Sequence, residues 1–283
     1  MSRRGPLLVF GAATLWGTTG TAQALGPDSV TPETFAFVRM LGGALLVLFA
    51  MRRGTTSPIR DLPRVPLLLA IATMAGSQPL FFGGVARTGV AVGTIVTIGS
   101  GPLFAGALGW LVRREAVTRR WWVATTSALV GAVLLVSGGE AAGVDPMGLV
   151  LALGAGLAWA IYLIGAKEVF EQADPVFAAG VVFVAAAVLL SPSLVLSDPS
   201  WLMSGRGLTV AIWTAPIATG ISYVFFSRGL RDSPVAVAAT MTLAEPLTAA
   251  VLGLIVLGEP AVASTIGGIV AILVGLLVLA REG

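Results

Sequence analysis

Ten stretches of apolar residues, each near the length of a bilayer crossing, are joined by loops too short to hold a soluble domain. They fall at roughly 5–25, 31–50, 65–86, 89–112, 119–138, 147–166, 174–196, 207–229, 233–257 and 262–281, and about 20 apolar residues suffice for a transmembrane helix. In hydrocarbon a peptide group finds no water, so segments of this kind close their hydrogen bonds within themselves as helices. Composition agrees. Only 11% of the 283 residues are charged, against about 25% in soluble domains. The expectation is an all-α membrane protein with ten transmembrane helices.

Charge sets the expected orientation. With the N-terminus inside, fourteen basic residues fall on the cytoplasmic side, while Arg87 and Arg206 fall on the other. Such a bias predicts both termini cytoplasmic in a multi-pass inner-membrane protein. The sequence pI of about 10.2 comes from these scattered loop arginines rather than from a basic patch, which argues against a nucleic-acid partner. Arg3-Arg4 before an apolar run ending in Ala22-Gln23-Ala24 resembles a signal peptide. That run has a counterpart in the second half, so it is expected to stay as the first span.

The stretch from Thr240 to Pro260 carries Glu245 and Pro246 inside an otherwise apolar segment. A charge at the centre of a transmembrane helix costs roughly 2.5–3.5 kcal/mol even on lenient scales, so Glu245 needs a partner or a watery cavity. The pattern recurs. Pro102 and Glu115 match Pro246 and Glu259, since 246 − 102 and 259 − 115 both equal 144. Trp16 matches Trp159 and Pro32 matches Pro175 at 143, and Phe81-Phe82, Gly109 and Gly131 find mates at 144. Two repeats follow, 1–140 and 141–283. Each holds five spans, an odd number, so the second is expected to be inverted. Inverted repeats place a binding site near the midplane, between halves that rock to give alternating access.

Several residues are candidates to line that site. Glu245 and Arg39 are the ionisable residues deep in expected spans. Glu245 suits a substrate ammonium or a proton, and the structural alternative is an ion pair with Arg39. Trp16 and Trp159 lie at depth, where an indole N–H needs a partner, and the alternative for both is tight packing on Gly17 and Gly156. Thr19 and Tyr162, one turn on, are expected to share their face. Gln78 is a costly amide in hydrocarbon, with Phe82 a turn beyond it and Ser222, beside Tyr223, as its repeat mate. Pro79, Pro102, Pro216 and Pro246 remove backbone donors and are expected to kink their helices. Glu115 and Glu259 sit at span ends and are read as local caps, Glu115 pairing with a loop arginine such as Arg114. The threonines at 94, 97, 240 and 242 are read as bonding their own helix carbonyls.

There is no cysteine and no histidine. That excludes disulfides, thiol nucleophiles and His-dependent triads, and no metal-ligand spacing or cofactor motif occurs, so neither metal nor cofactor is expected. Phosphorylated substrates need converging cations, and the interior offers one arginine. A zwitterionic or neutral small molecule fits better, bound between aromatic walls. Efflux of lipophilic or quaternary cations, stacked on Trp16 or Trp159 and drawn by Glu245, is the alternative. A membrane-embedded enzyme or scaffold is the weaker reading.

Leu15-Trp16-Gly17, Arg39, Pro102 with Glu115, and Glu245-Pro246 with Leu257-Gly258-Glu259 together resemble the ten-span EamA-type members of the drug/metabolite transporter superfamily. The resemblance covers the whole chain. It implies a ten-helix fold with a central cavity lined by the first, third, fourth, sixth, eighth and ninth spans. Within that family the chain looks most similar to amino-acid exporters, including those for aromatic amino acids.

Overall fold

A computed structural model describes residues 4–136 and 145–281. Arg3 and the expected repeat boundary at 140/141 lie outside the described residues. The chain is built from helices α1 (Arg4–Ala24), α2 (Pro32–Arg52), α3 (Arg64–Gly89), α4 (Val92–Arg113), α5 (Arg119–Val136), α6 (Pro146–Gln172), α7 (Pro175–Leu190), α8 (Gly205–Arg231), α9 (Val235–Ile255) and α10 (Ala263–Ala280). Among the described residues no strand occurs.

Seven of these helices are long and apolar enough to cross a membrane: α2, α3, α4, α6, α8, α9 and α10. α1 and α5 are less apolar, and α7 is apolar but only 16 residues long. The seventh expected segment was drawn to 196. It stops as α-helix at Leu190 and continues to Leu196 as a 3₁₀ segment. Pro192 has no N–H to extend the helical ladder.

The helix starts follow from local chemistry. Pro32, Pro146 and Pro175 each open a helix, where a missing N–H costs nothing. Asp145 and Asp174 cap the last two through backbone N–H groups, Met147 at 2.9 Å and Val176 and Phe177 at 3.1 and 2.9 Å. The bond from Met147, then the one from Arg87, holds the Asp145 carboxyl below the usual range. α3 and α4 meet at Gly89, whose φ of 83° is left-handed backbone that glycine tolerates. α4 ends at Arg114, also left-handed with φ 58°.

Helix contacts run mostly between the two halves. α1 packs on α8 and α9, and α6 packs on α3 and α4. α2 packs on α7 and α8, while α5 packs on α10. Small residues permit this, as in membrane helices generally. A Cβ added to Gly131 would meet the Gly268 carbonyl at 2.6 Å and Ile272 at 2.7 Å. The contact recurs at the repeat spacing. Gly275, 144 residues after Gly131, faces Ala124 and Ala128, which lie 144 before Gly268 and Ile272.

Overpacking a close contact costs about 1–3 kcal/mol. Gly131→Ala is therefore expected to lower the melting temperature of the purified protein. Gly11→Ala, where nothing lies within 4 Å of the added carbon, is expected to leave it unchanged or raise it.

Candidate functional site

The helices that enclose the interior are interrupted there. α8 is a π-helix from Trp213 to Ile221, around Pro216. A wider turn absorbs the donor that proline lacks. α9 breaks at Thr242-Leu243, so that Glu245 and Pro246 stand in the first turn of its second half, where free backbone donors are normal. The backbone remains helical through Pro79 and Pro102, and the break in that stretch is at Gly89. The expected kinks thus become a π-turn at Pro216 and a helix break before Pro246.

Between these helices lies a cavity of about 220 Å³. It brings together six of the expected residues: Trp16, Gln78, Phe82, Trp159, Tyr223 and Glu245. Arg39 also faces it. The two tryptophan rings meet edge to face at 5.9 Å, and Tyr223 lies 5.2 Å from Trp16. Phe183 closes on Tyr223 at 4.3 Å. Gln78 donates to its neighbour Ser77 at 3.4 Å, so its amide keeps spare capacity toward the cavity.

Three expected residues lie elsewhere. Ser222 is buried behind the wall, where its hydroxyl accepts the Trp16 indole N–H at 2.8 Å and donates to the Ala218 carbonyl at 2.6 Å. Trp16 is thereby fixed by a side chain of α8. Its ring, not its N–H, is what the cavity receives. Thr19 donates to the Trp16 carbonyl at 2.7 Å, and Tyr162 is fully buried, stacked on Trp159 at 5.1 Å. Residues three apart diverge by about 60° around a helix, which carries both off the cavity face.

Arg39 and Glu245 face the same space without pairing. No Arg39 nitrogen comes within 4.0 Å of the Glu245 carboxylate. The expected ion pair is not made at salt-bridge distance, although the Arg39 charge still acts electrostatically on the Glu245 carboxyl across the cavity they share. The Arg39 Nε is buried with no acceptor among the described residues, and its guanidinium carbon sits 5.9 Å from the Phe35 ring centroid.

The wall also contains Met40, Met74, Ser77, Phe81, Thr97 and Phe183. An apolar residue in an apolar span carries no sign of its direction, whereas Ser77 and Thr97 are polar and Phe81 has a repeat mate. Thr97 carries a specific expectation. It does not bond its own helix as expected. It donates across to the Ala152 carbonyl of α6 at 3.1 Å. Thr242 does follow the expectation, with Ala239 at 2.6 Å, although it too faces the cavity.

A charged knot closes one end of the helix bundle. Arg113 bonds Glu115, Glu168 and Glu171 at 3.1, 2.9 and 2.7 Å. Arg113, rather than the expected Arg114, is the partner of Glu115, because Arg114 occupies the left-handed turn that ends α4. The other Glu115 oxygen accepts the Val235 N–H at the start of α9 at 2.6 Å. Lys167 is buried there and donates to the carbonyls of Leu230 and Arg231 at 3.2 Å each, and to that of Ser233. Glu259, at the corresponding repeat position, is exposed and folds back over Gly253.

Comparison with known proteins places these features. The model of the EamA-like transporter family matches residues 3–137 and 146–281. The uncharacterized transporter YwfM of Bacillus subtilis (strain 168) is 41% identical, over 96% of this chain and 92% of its own length. The threonine/homoserine exporter RhtA of Escherichia coli (strain K12) is 28% identical, over 98% of this chain and 92% of its own. A crystal structure with 20% identity superposes with a TM-score of 0.84, covering 100% of this chain and 99% of the other, and so shares the fold.

Removing the Lys167 ammonium takes the donor from the Arg231 and Ser233 carbonyls, while that of Leu230 keeps the Ser233 N–H, and an unsatisfied buried group costs about 1–3 kcal/mol. Lys167→Met is expected to lower the melting temperature by more than Arg120→Gln, an exposed control, in the same thermal scan.

Proposed function

The chain belongs to the EamA-like transporter family, and we propose that it exports amino acids through the central cavity by alternating access. It is a multi-pass membrane transporter of small molecules rather than an enzyme. The proposal extends to ten spans in two inverted five-helix repeats, with both termini on the cytoplasmic side of an inner membrane. The match of one family model to two stretches supports the repeat, as does the recurrence of the Gly131 contact at Gly275. The fourteen-to-two distribution of basic residues supports the orientation.

One observation carries the substrate class: a carboxylate and a guanidinium face one cavity with no salt-bridge contact between them. A zwitterion satisfies both, its ammonium toward Glu245 and its carboxylate toward the unaccepted Nε of Arg39. The rings of Trp16, Trp159, Phe82 and Tyr223 then receive an apolar side chain, and the Gln78 amide a polar one. The relative named for threonine and homoserine export supports amino acids as a class. Efflux of lipophilic cations draws support from the edge-on tryptophan pair, and the Arg39 charge in the same cavity disfavours it.

Uptake of labelled phenylalanine, threonine and homoserine into proteoliposomes tests this, with tetraphenylphosphonium as the cation. Saturable amino-acid flux is expected to fall at least tenfold in both Glu245→Gln and Arg39→Gln. Flux of tetraphenylphosphonium alone, lost in Glu245→Gln and raised in Arg39→Gln, would establish the cation reading instead.

A further inference from the structure

A second and larger cavity, of about 430 Å³, lies away from the central one, between α1, α8 and α9. Its wall includes Thr18, Ala22, Leu25, Val210, Trp213 and Leu252, with Arg206 at one end. Thr21 lines it too, and the other two threonine hydroxyls are taken up within the protein. Thr18 donates to the Leu15 carbonyl at 2.7 Å and accepts the Trp213 N–H at 2.8 Å, and Thr209 donates to the Gly205 carbonyl at 2.9 Å. What the groove offers a ligand is therefore a largely apolar wall with the Thr21 hydroxyl and a single cation, Arg206.

That cation is placed at a helix terminus. Arg206 stands in the first turn of α8, where the helix's N-terminal partial charge adds to its own. Among the described residues no carboxylate comes within 4.0 Å of it. The flanks are apolar and exposed at Leu25, Leu208, Ile212, Trp213 and Val256, and α8 and α9 are long and apolar enough to cross a membrane. The groove is particular to this place. At the positions related by the repeat spacing, 165 = 22 + 143 and 69 = 213 − 144, Gly165 closes against Leu69 and the Pro66 carbonyl.

We infer that this groove seats a membrane phospholipid, with an acyl chain along Ala22, Val210 and Leu252 and the phosphodiester against Arg206. The chemistry is complementary at both ends. An apolar chain matches a largely apolar wall, and a phosphate supplies the acceptor that a guanidinium fork is shaped for. Basic pockets between transmembrane helices bind lipid headgroups on these grounds. The inference is independent of what the central cavity carries.

Native mass spectrometry of the delipidated protein tests it, with palmitoyl-oleoyl phosphatidylglycerol, sn-glycerol 3-phosphate and phosphate-free monoolein added in parallel. Phosphatidylglycerol is expected to be retained at one molecule per chain, and glycerol phosphate not at all. Arg206→Gln is expected to cut phosphatidylglycerol retention at least fivefold while leaving monoolein unchanged. Ala22→Phe, which fills the groove, is expected to remove both. Leu252→Trp serves the same purpose should Ala22→Phe melt early. Equal phosphatidylglycerol retention by the wild type, Arg206→Gln and a folded groove-filling variant would overturn the assignment, as would binding of glycerol phosphate alone.

Discussion

A backbone amide inside a bilayer has no solvent to fall back on, and nearly every feature of this protein follows from that. The constraint makes the segments helical, and it also decides where they can be interrupted. The break at Thr242-Leu243 and the Glu245 turn face the cavity, while the π-turn around Pro216 buries Thr214, Ala218 and Thr219 between the exposed Trp213 and Ile221. Irregular backbone collects where side chains or a ligand can answer it. The binding cavity and the broken helices are thus two aspects of one requirement.

Close approach between helices does the rest. Glycine and alanine at the contacts let α5 lie on α10 and α1 on α8 and α9 with backbone nearly touching side chain. Where the chain spends volume instead, it spends it on aromatics. Trp16, Trp159, Tyr223 and Phe226 form one interlocked group. The Trp16–Ser222 hydrogen bond fixes the orientation of that group at the cavity wall.

Much of this was legible in the residues themselves. Spans could be read because twenty apolar positions in a row have few other uses, and Glu245, Arg39 and Gln78 because a polar group in hydrocarbon demands an explanation. The repeat spacing led to Trp159 and Tyr223. The same reasoning failed at Thr19 and Tyr162, where three residues along a helix is close to, but not on, the same face. It failed at Ser222 because a hydroxyl can be consumed by an indole that no sequence places beside it. Met40, Met74 and Phe183 gave no signal, since an apolar side chain is equally at home toward lipid, toward a neighbour or toward a cavity. Lys167 looked like a loop charge counting toward orientation. Its burial depends on carbonyls sixty-three to sixty-six residues away.

The assembly around Lys167 has a consequence for how this end of the bundle can behave. One ammonium ties α6 to the end of α8, while Glu115 joins the end of α4 to the beginning of α9. Arg113 also holds Glu168 and Glu171 of α6, so the four helix ends are bound into one charged network, and parting them means hydrating buried charge.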